Sequence, residues 1–179
     1  MISRKILFFG LIAVFIAATV WFATLEPDGA LEEFVFRYGY FGFFVAAFLG
    51  GLNFALPSIH LAFIVPLLNV GLELWVLVVL AAIGTTLADG VGYGLGRSGE
   101  SVFPALERLR VWGENFVAKH PRLAPLVIVG WASLVPIPNE IFVIPAGLIR
   151  YGFLKTLSFA FVGNIIFNLL ALNFGNLLI

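Results

Sequence analysis

The apolar positions of this chain fall in long runs, and several runs are broken near their middle. From Ile6 to Leu25 almost every position is apolar. As a helix this stretch would rise about 30 Å, the thickness of a bilayer core. Arg4 and Lys5 precede it, as in a signal peptide. The run is longer than a signal core, however, and it ends in Trp21 and Phe22 followed by acidic residues, so it reads as an uncleaved transmembrane helix. Glu26 to Arg37 is short, polar and acidic, with Pro27-Asp28-Gly29 as turn chemistry, and reads as an interfacial segment. Tyr38 to Val70 is apolar but carries Gly50-Gly51-Leu52-Asn53 and then Pro57-Ser58 in its middle. Its arms, of about 15 and about 12 residues, are too short to cross a bilayer alone and predict a re-entrant hairpin with its tip at Pro57 and Ser58.

Leu72 to Leu95 is long enough to cross fully, although it contains Asp89 and ends in closely spaced glycines. In 97–122, Phe103, Leu106, Leu109, Val111 and Phe116 are spaced among Arg and Glu, which predicts an amphipathic helix lying at an interface. Leu123 to Ile149 is apolar again and breaks at Pro136-Ile137-Pro138-Asn139, a second hairpin tip. Phe153 to Ile179 is a last crossing, charged only at Lys155.

A shift of 81 residues lays Pro57 on Pro138, Gly71 on Gly152 and Gly94 on Gly175. Each half then reads as a broken apolar hairpin, a glycine and a full crossing, an internal repeat. Positive charge tests the arrangement independently, because Lys and Arg are enriched in cytoplasmic loops. Arg4 and Lys5, the cluster Arg97, Arg108, Arg110, Lys119 and Arg122, and the pair Arg150 and Lys155 can share one side only if 123–149 enters and leaves from that side. The acidic segment 26–37 and the hairpin 40–70 then belong to the other side. The two halves have opposite orientation, the plan of inverted-repeat transporters. The predicted fold is therefore an all-α polytopic membrane protein. It is an inverted repeat of re-entrant hairpin plus transmembrane helix, preceded by an extra N-terminal transmembrane helix, with the N-terminus cytoplasmic. Residues 1–37 form the N-terminal unit and 38–179 a single membrane domain, with repeat halves of about 38–96 and 121–178 joined by 97–120.

Composition strengthens this reading. The chain is 61% hydrophobic and 11% charged, where a soluble domain is about half apolar and a quarter charged. There is no cysteine, which excludes disulfides and thiolate chemistry, and the two histidines are too far apart in sequence to promise a metal site. Net charge is zero and no basic run points to nucleic acid. No cofactor is expected. Membrane lipids are the expected partners, and a homo-oligomer is left open.

Asn139 has the chemistry of an N-cap, and Glu140 would follow it in the first helical turn, where the dipole favours an anion. Glu140 reads either as a capping carboxylate or as an intramembrane acid that binds a proton or a cationic group. Asp89 lies more than a turn inside its crossing, where a carboxylate costs roughly 2.5–3.5 kcal/mol. It either snorkels to the interface or is offset by a cavity or by Arg97 or Arg150. Gly84, Ala88, Gly92 and Gly96 form a stripe of small residues suited to close helix packing. His60 reads as a satisfied polar residue before a proton relay. No Ser-His-Asp order or paired-acid spacing stands out, so an enzyme is not expected.

The run Asp89-Gly90-Val91-Gly92-Tyr93-Gly94-Leu95-Gly96-Arg97 resembles the D-x-x-G-Y-x-x-G-R signature of the DedA family, also called the SNARE-associated or VTT-domain family. Tyr38-Gly39-Tyr40-Phe41-Gly42 is similar to the aromatic-glycine opening of that family's first hairpin. Pro136-Ile137-Pro138-Asn139-Glu140 and Ala146-Gly147-Leu148-Ile149-Arg150 resemble its P-x-P-x-E and A-G-x-x-R elements. The resemblance covers about 38–178. It implies two oppositely inserted hairpins, a prokaryotic plasma membrane location, and flippase or scramblase movement of phospholipid or polyprenyl-phosphate headgroups. Asp89, Arg97, Glu140 and Arg150 stand at its functional positions for proton coupling. The family's first tip commonly carries a Glu, whereas this one reads Leu56-Pro57-Ser58-Ile59-His60 without an acid. Three functions follow as expectations: lipid translocation, proton- or ion-coupled export of a small solute, or a non-transporting membrane scaffold.

Overall fold

The structure is a computed structural model, and it describes Ile6, Phe9, Gly10, Ala13 and residues 30–52, 58–99, 107–135 and 138–177. Most of the predicted N-terminal helix, the turn at 26–29, the tip residues 53–57 with Pro57, the positions Phe103 and Leu106, and Pro136 with Ile137 lie outside the described residues. Among the described residues there are helices and no strands. From residue 30 onward the helices are α1 (Ala30–Tyr38), α2 (Tyr40–Gly51), α3 (Leu61–Asn69), α4 (Leu74–Gly99), α5 (Glu107–Lys119), α6 (Leu123–Leu134), α7 (Glu140–Leu148) and α8 (Phe153–Leu177).

The apolar runs break where the sequence places its prolines and glycines. The arms are 12 residues in α2 and 9 in α3, then 12 in α6 and 9 in α7. Both nine-residue arms carry an internal proline, Pro66 and Pro145, each of which removes a backbone donor and keeps its arm short. Among the described residues, α4 and α8 are the helices long and apolar enough to cross a membrane. Their best windows have mean hydropathies of 2.0 and 1.6, and at 1.5 Å per residue both exceed a core of about 30 Å.

Helix α4 runs on to Gly99 through the glycines that the sequence reading took for its end. Glycine normally weakens a helix by roughly 0.5–1 kcal/mol. Here close packing offsets that cost. A β-carbon at Gly84 would lie 2.9 Å from the Phe44 carbonyl oxygen of α2, and one at Gly92 would lie 2.8 Å from Val143 of α7. At Gly96 it would fall on the Ile144 carbonyl, and at Gly147 of α7 on that of Tyr93. Ala88 meets Gly51 of α2 from the same stripe. The stripe Gly84, Ala88, Gly92 and Gly96 thus seats α2 with its first half and α7 with its second. Gly163 does for α8 what Gly84 does for α4, since a β-carbon there would lie 2.9 Å from the Val129 carbonyl of α6.

Both nine-residue arms end in the same hydrogen-bonded turn, Leu72 N–H to Leu67 O at 3.1 Å and Tyr151 N–H to Ala146 O at 2.9 Å. Such a turn needs a left-handed residue just past the helix. Gly71 fills that place after α3 (φ 93°), and Arg150 fills it after α7 (φ 56°). Arg150, and not Gly152, therefore holds after α7 the place that Gly71 holds after α3, 79 residues earlier. The arms differ in packing: α7 lies closely along α4, whereas α3 meets α8 at few points. Residues of α1 to α4, among them Val35, Phe43, Ile64 and Leu77, form a buried apolar cluster that Leu172 of α8 packs against.

Helix α5 is amphipathic. Arg110 pairs with Glu107 and with Glu114 (2.6 Å) on one side, and Trp112 and Phe116 stack on each other, both exposed. The Arg110 guanidinium holds the Glu107 carboxyl below the usual carboxylate range. Gly113 lets α5 approach Ile149 at the end of α7.

Candidate functional site

Four elements bring polar side chains to one place. Asp89 is 2% exposed in the middle of α4, and Glu140, the first residue of α7, is 4% exposed. Asn139 precedes α7, but it does not cap it: its backbone is already helical and its side chain makes no cap bond. Its amide instead donates to Asp89 Oδ2 (3.1 Å) and to Asn164 Oδ1 (3.0 Å). Asn164, buried in α8, donates in turn to Asp89 Oδ2 (3.2 Å) and to Thr86 Oγ1 (3.1 Å). One turn on, Asn168 donates to the Asn164 carbonyl (2.7 Å), and its Oδ1 lies 3.0 Å from His60 Nε2.

The network decides how the Asp89 carboxylate is held. A hydrogen bond to a charged group contributes roughly 1.5–3 kcal/mol, so two amide bonds to Oδ2 match the roughly 2.5–3.5 kcal/mol that a carboxylate costs at the centre of a membrane helix. The cationic partners anticipated for Asp89 are not the groups bonded to it. Arg97 is exposed in the last turn of α4, and Arg150 is exposed in the turn after α7. Neither snorkelling nor an arginine accounts for Asp89; amides do.

Glu140 approaches the same face of α4 from α7, its Cγ lying 3.7 Å from where a β-carbon on Gly92 would stand. Both acids line a cavity of about 50 Å³, together with His60, Ser58, Asn164 and Asn168. Ser58 holds a left-handed backbone (φ 66°) at its edge, a conformation that strains a non-glycine residue. Pro138 also lines the cavity. Ser133 is buried and its hydroxyl bonds back to Gly130 O within α6 (3.3 Å), away from the amide network.

Comparison with protein-family models, with curated proteins and with solved structures finds no match to this chain. The functional reading therefore stands on the residues themselves. The sequence-predicted residues Asp89, Asn139, Glu140, Ser58 and Pro138 come together, and Arg97 and Arg150 do not join them. Thr86, Asn164 and Asn168 are members that sequence reasoning did not single out. The available signal was the pair Asn164 and Asn168, four residues apart and so on one face of an otherwise apolar helix.

Among the described residues no group of three His, Cys, Asp or Glu is placed to hold a metal ion. The cavity instead offers carboxylates and an imidazole, groups that can take up, hold and pass a proton, together with amides that hydrogen-bond to them.

Proposed function

We propose that the chain is an integral membrane transporter of the DedA type that moves phospholipid or polyprenyl-phosphate headgroups between leaflets, with Asp89 and Glu140 as the proton-coupling pair. The observation that carries the reading is two buried carboxylates sharing one cavity at the depth of a crossing-length helix. Intramembrane acids are costly and are kept where protons or ions move. The amides of Asn139 and Asn164 satisfy one carboxylate, and Glu140 takes up and releases the proton.

In this reading α2–α3 and α6–α7 are re-entrant hairpins of an inverted repeat, entering from opposite faces. The equal arm lengths support it, as do the paired turns at Gly71 and Arg150. The hydrogen bonds give further support. His60 precedes Asn139 by 79 residues, and Asn168 follows Asp89 by 79, so the contact between His60 and Asn168 and that between Asn139 and Asp89 are one contact made in both directions. The close seat of α7 on α4, against the looser approach of α3 to α8, fits one state of a pair in which the hairpins alternate. Arg150 and Arg97, exposed near the ends of α7 and α4, are placed to meet an anionic headgroup arriving from the interface.

The small cavity also favours a second reading, a proton-coupled exporter of a small solute, because a lipid headgroup would need it to widen. Purified protein in proteoliposomes separates the two. The first reading expects headgroup-labelled lipid to change leaflet faster when a pH gradient is imposed. Proton flux that follows an added solute, with labelled lipid immobile at every gradient, would select the second.

A further inference from the structure

Among the described residues, His60 is the cavity-lining residue that carries a fully buried side-chain nitrogen without a hydrogen-bond partner. Its ring is 1% exposed, and Nδ1 has no hydrogen-bond partner among the described residues. The tautomer follows from the neighbours. Asn168 donates its Nδ2 to the Asn164 carbonyl, so Oδ1 is the atom facing the ring, and His60 Nε2 must carry the hydrogen. That leaves Nδ1 with a bare lone pair. A buried acceptor without a donor costs roughly 1–3 kcal/mol, and the Phe43 ring edge, its aromatic neighbour from α2, offers no strong donor.

The cavity offers one. A water needs roughly 10–15 Å³ measured this way and two to four polar partners, so about 50 Å³ lined by His60, Asp89, Glu140, Asn164 and Asn168 has room for a short chain of waters. The titratable groups facing that space besides His60 are Asp89 from α4 and Glu140 from α7; α8 contributes the Asn164 and Asn168 amides and the Phe167 ring, α2 contributes Gly50 and Gly51, and no Lys or Arg is among the lining residues. His60 comes from the first hairpin, beside the tip that carries no acid. We propose that His60 exchanges a proton with the Asp89 and Glu140 pair through water held in this cavity, so that the first hairpin contributes its own proton carrier and the relay joins both halves of the molecule. This rests on Asp89 and Glu140 being proton carriers and is independent of the cargo.

Only two histidines are present, His60 and His120, which makes the test direct. With 15N-labelled histidine, the full chain in lipid nanodiscs gives two sets of ring signals, assigned by His120→Gln. The expected result is a His60 Nδ1 resonance in the range of a hydrogen-bonded acceptor that moves with pH, and whose movement shifts in both Asp89→Asn and Glu140→Gln. A His60 Nδ1 signal of an unbonded nitrogen, or one indifferent to both substitutions, overturns the proposal. His60→Gln keeps an amide toward Asn168 but cannot relay, and is expected to slow pH-driven proton flux in proteoliposomes by at least about tenfold. Unchanged flux also overturns it. Coupled His60 signals in a protein that moves no lipid would leave the relay standing and remove the lipid cargo instead.

Discussion

Glu140→Gln is expected to reduce pH-driven headgroup movement in proteoliposomes by about a hundredfold or more, the scale on which a positioned proton-transfer group contributes, while the protein remains folded. The substitution is nearly isosteric and keeps hydrogen-bonding capacity at a position that is 4% exposed, so it removes the titration and little else. The remaining movement should show a changed and shallower pH dependence, because one of the two acids that alternate between charged and neutral is gone. Asp89→Asn should behave differently in stability. Asp89 Oδ2 accepts from both Asn139 and Asn164, and an amide there retains one accepting oxygen but loses the charge that strengthens both bonds. Headgroup movement by Glu140→Gln at the wild-type rate and with the wild-type pH profile would remove Glu140 from the mechanism.

The second large effect concerns the seat of α7. Gly96→Ala is expected to destabilise the fold by about 3 kcal/mol, near the upper end of overpacking costs, read as a lowered thermal midpoint in detergent micelles. On an open helix surface the same change would stabilise by about 1 kcal/mol. The sign reverses because the new methyl would fall on the Ile144 carbonyl, a backbone atom that cannot rotate aside. Gly130→Ala is the control: nothing lies within 4 Å of its added methyl, so it should be neutral or slightly stabilising. Loss of the Gly96 seat should also weaken transport, since α7 carries Glu140 to the cavity. Equal midpoints for Gly96→Ala and Gly130→Ala would show that α4 and α7 are not packed this closely.

How legible this was in the sequence differs from element to element. Broken apolar runs, tip prolines and crossing lengths follow from turn chemistry and run length, which are local properties. The long helices at 74–99 and 153–177 and the short arms beside them were readable for that reason. Asp89 and Glu140 stood out because a charge in an apolar run is costly and therefore conspicuous. Their partners did not. Asn164 and Asn168 are neutral and lie in no motif, and apart from each other they meet partners far away in the chain, Asn139 at 25 residues, Asp89 at 75, Thr86 at 78 and His60 at 108. The arginines misled for a physical reason, since charge complementarity favours a cation beside Asp89 whereas the fold supplies two amides. The turn after α7 escapes a search for matching glycines, because its left-handed residue is Arg150 where the turn after α3 has Gly71.

The central claim is that the two hairpins open to opposite faces of a membrane, and side-specific thiol labelling tests it most directly. The chain has no cysteine, so single cysteines can be placed at Tyr38 and Val70, which flank α2–α3, and at Lys119 and Lys155, which flank α6–α7. All four positions are exposed. In sealed vesicles of known orientation, an impermeant maleimide should reach Tyr38→Cys and Val70→Cys from one side and Lys119→Cys and Lys155→Cys only from the other. Labelling of Tyr38→Cys and Val70→Cys from opposite sides, or of all four from one side, would contradict the account.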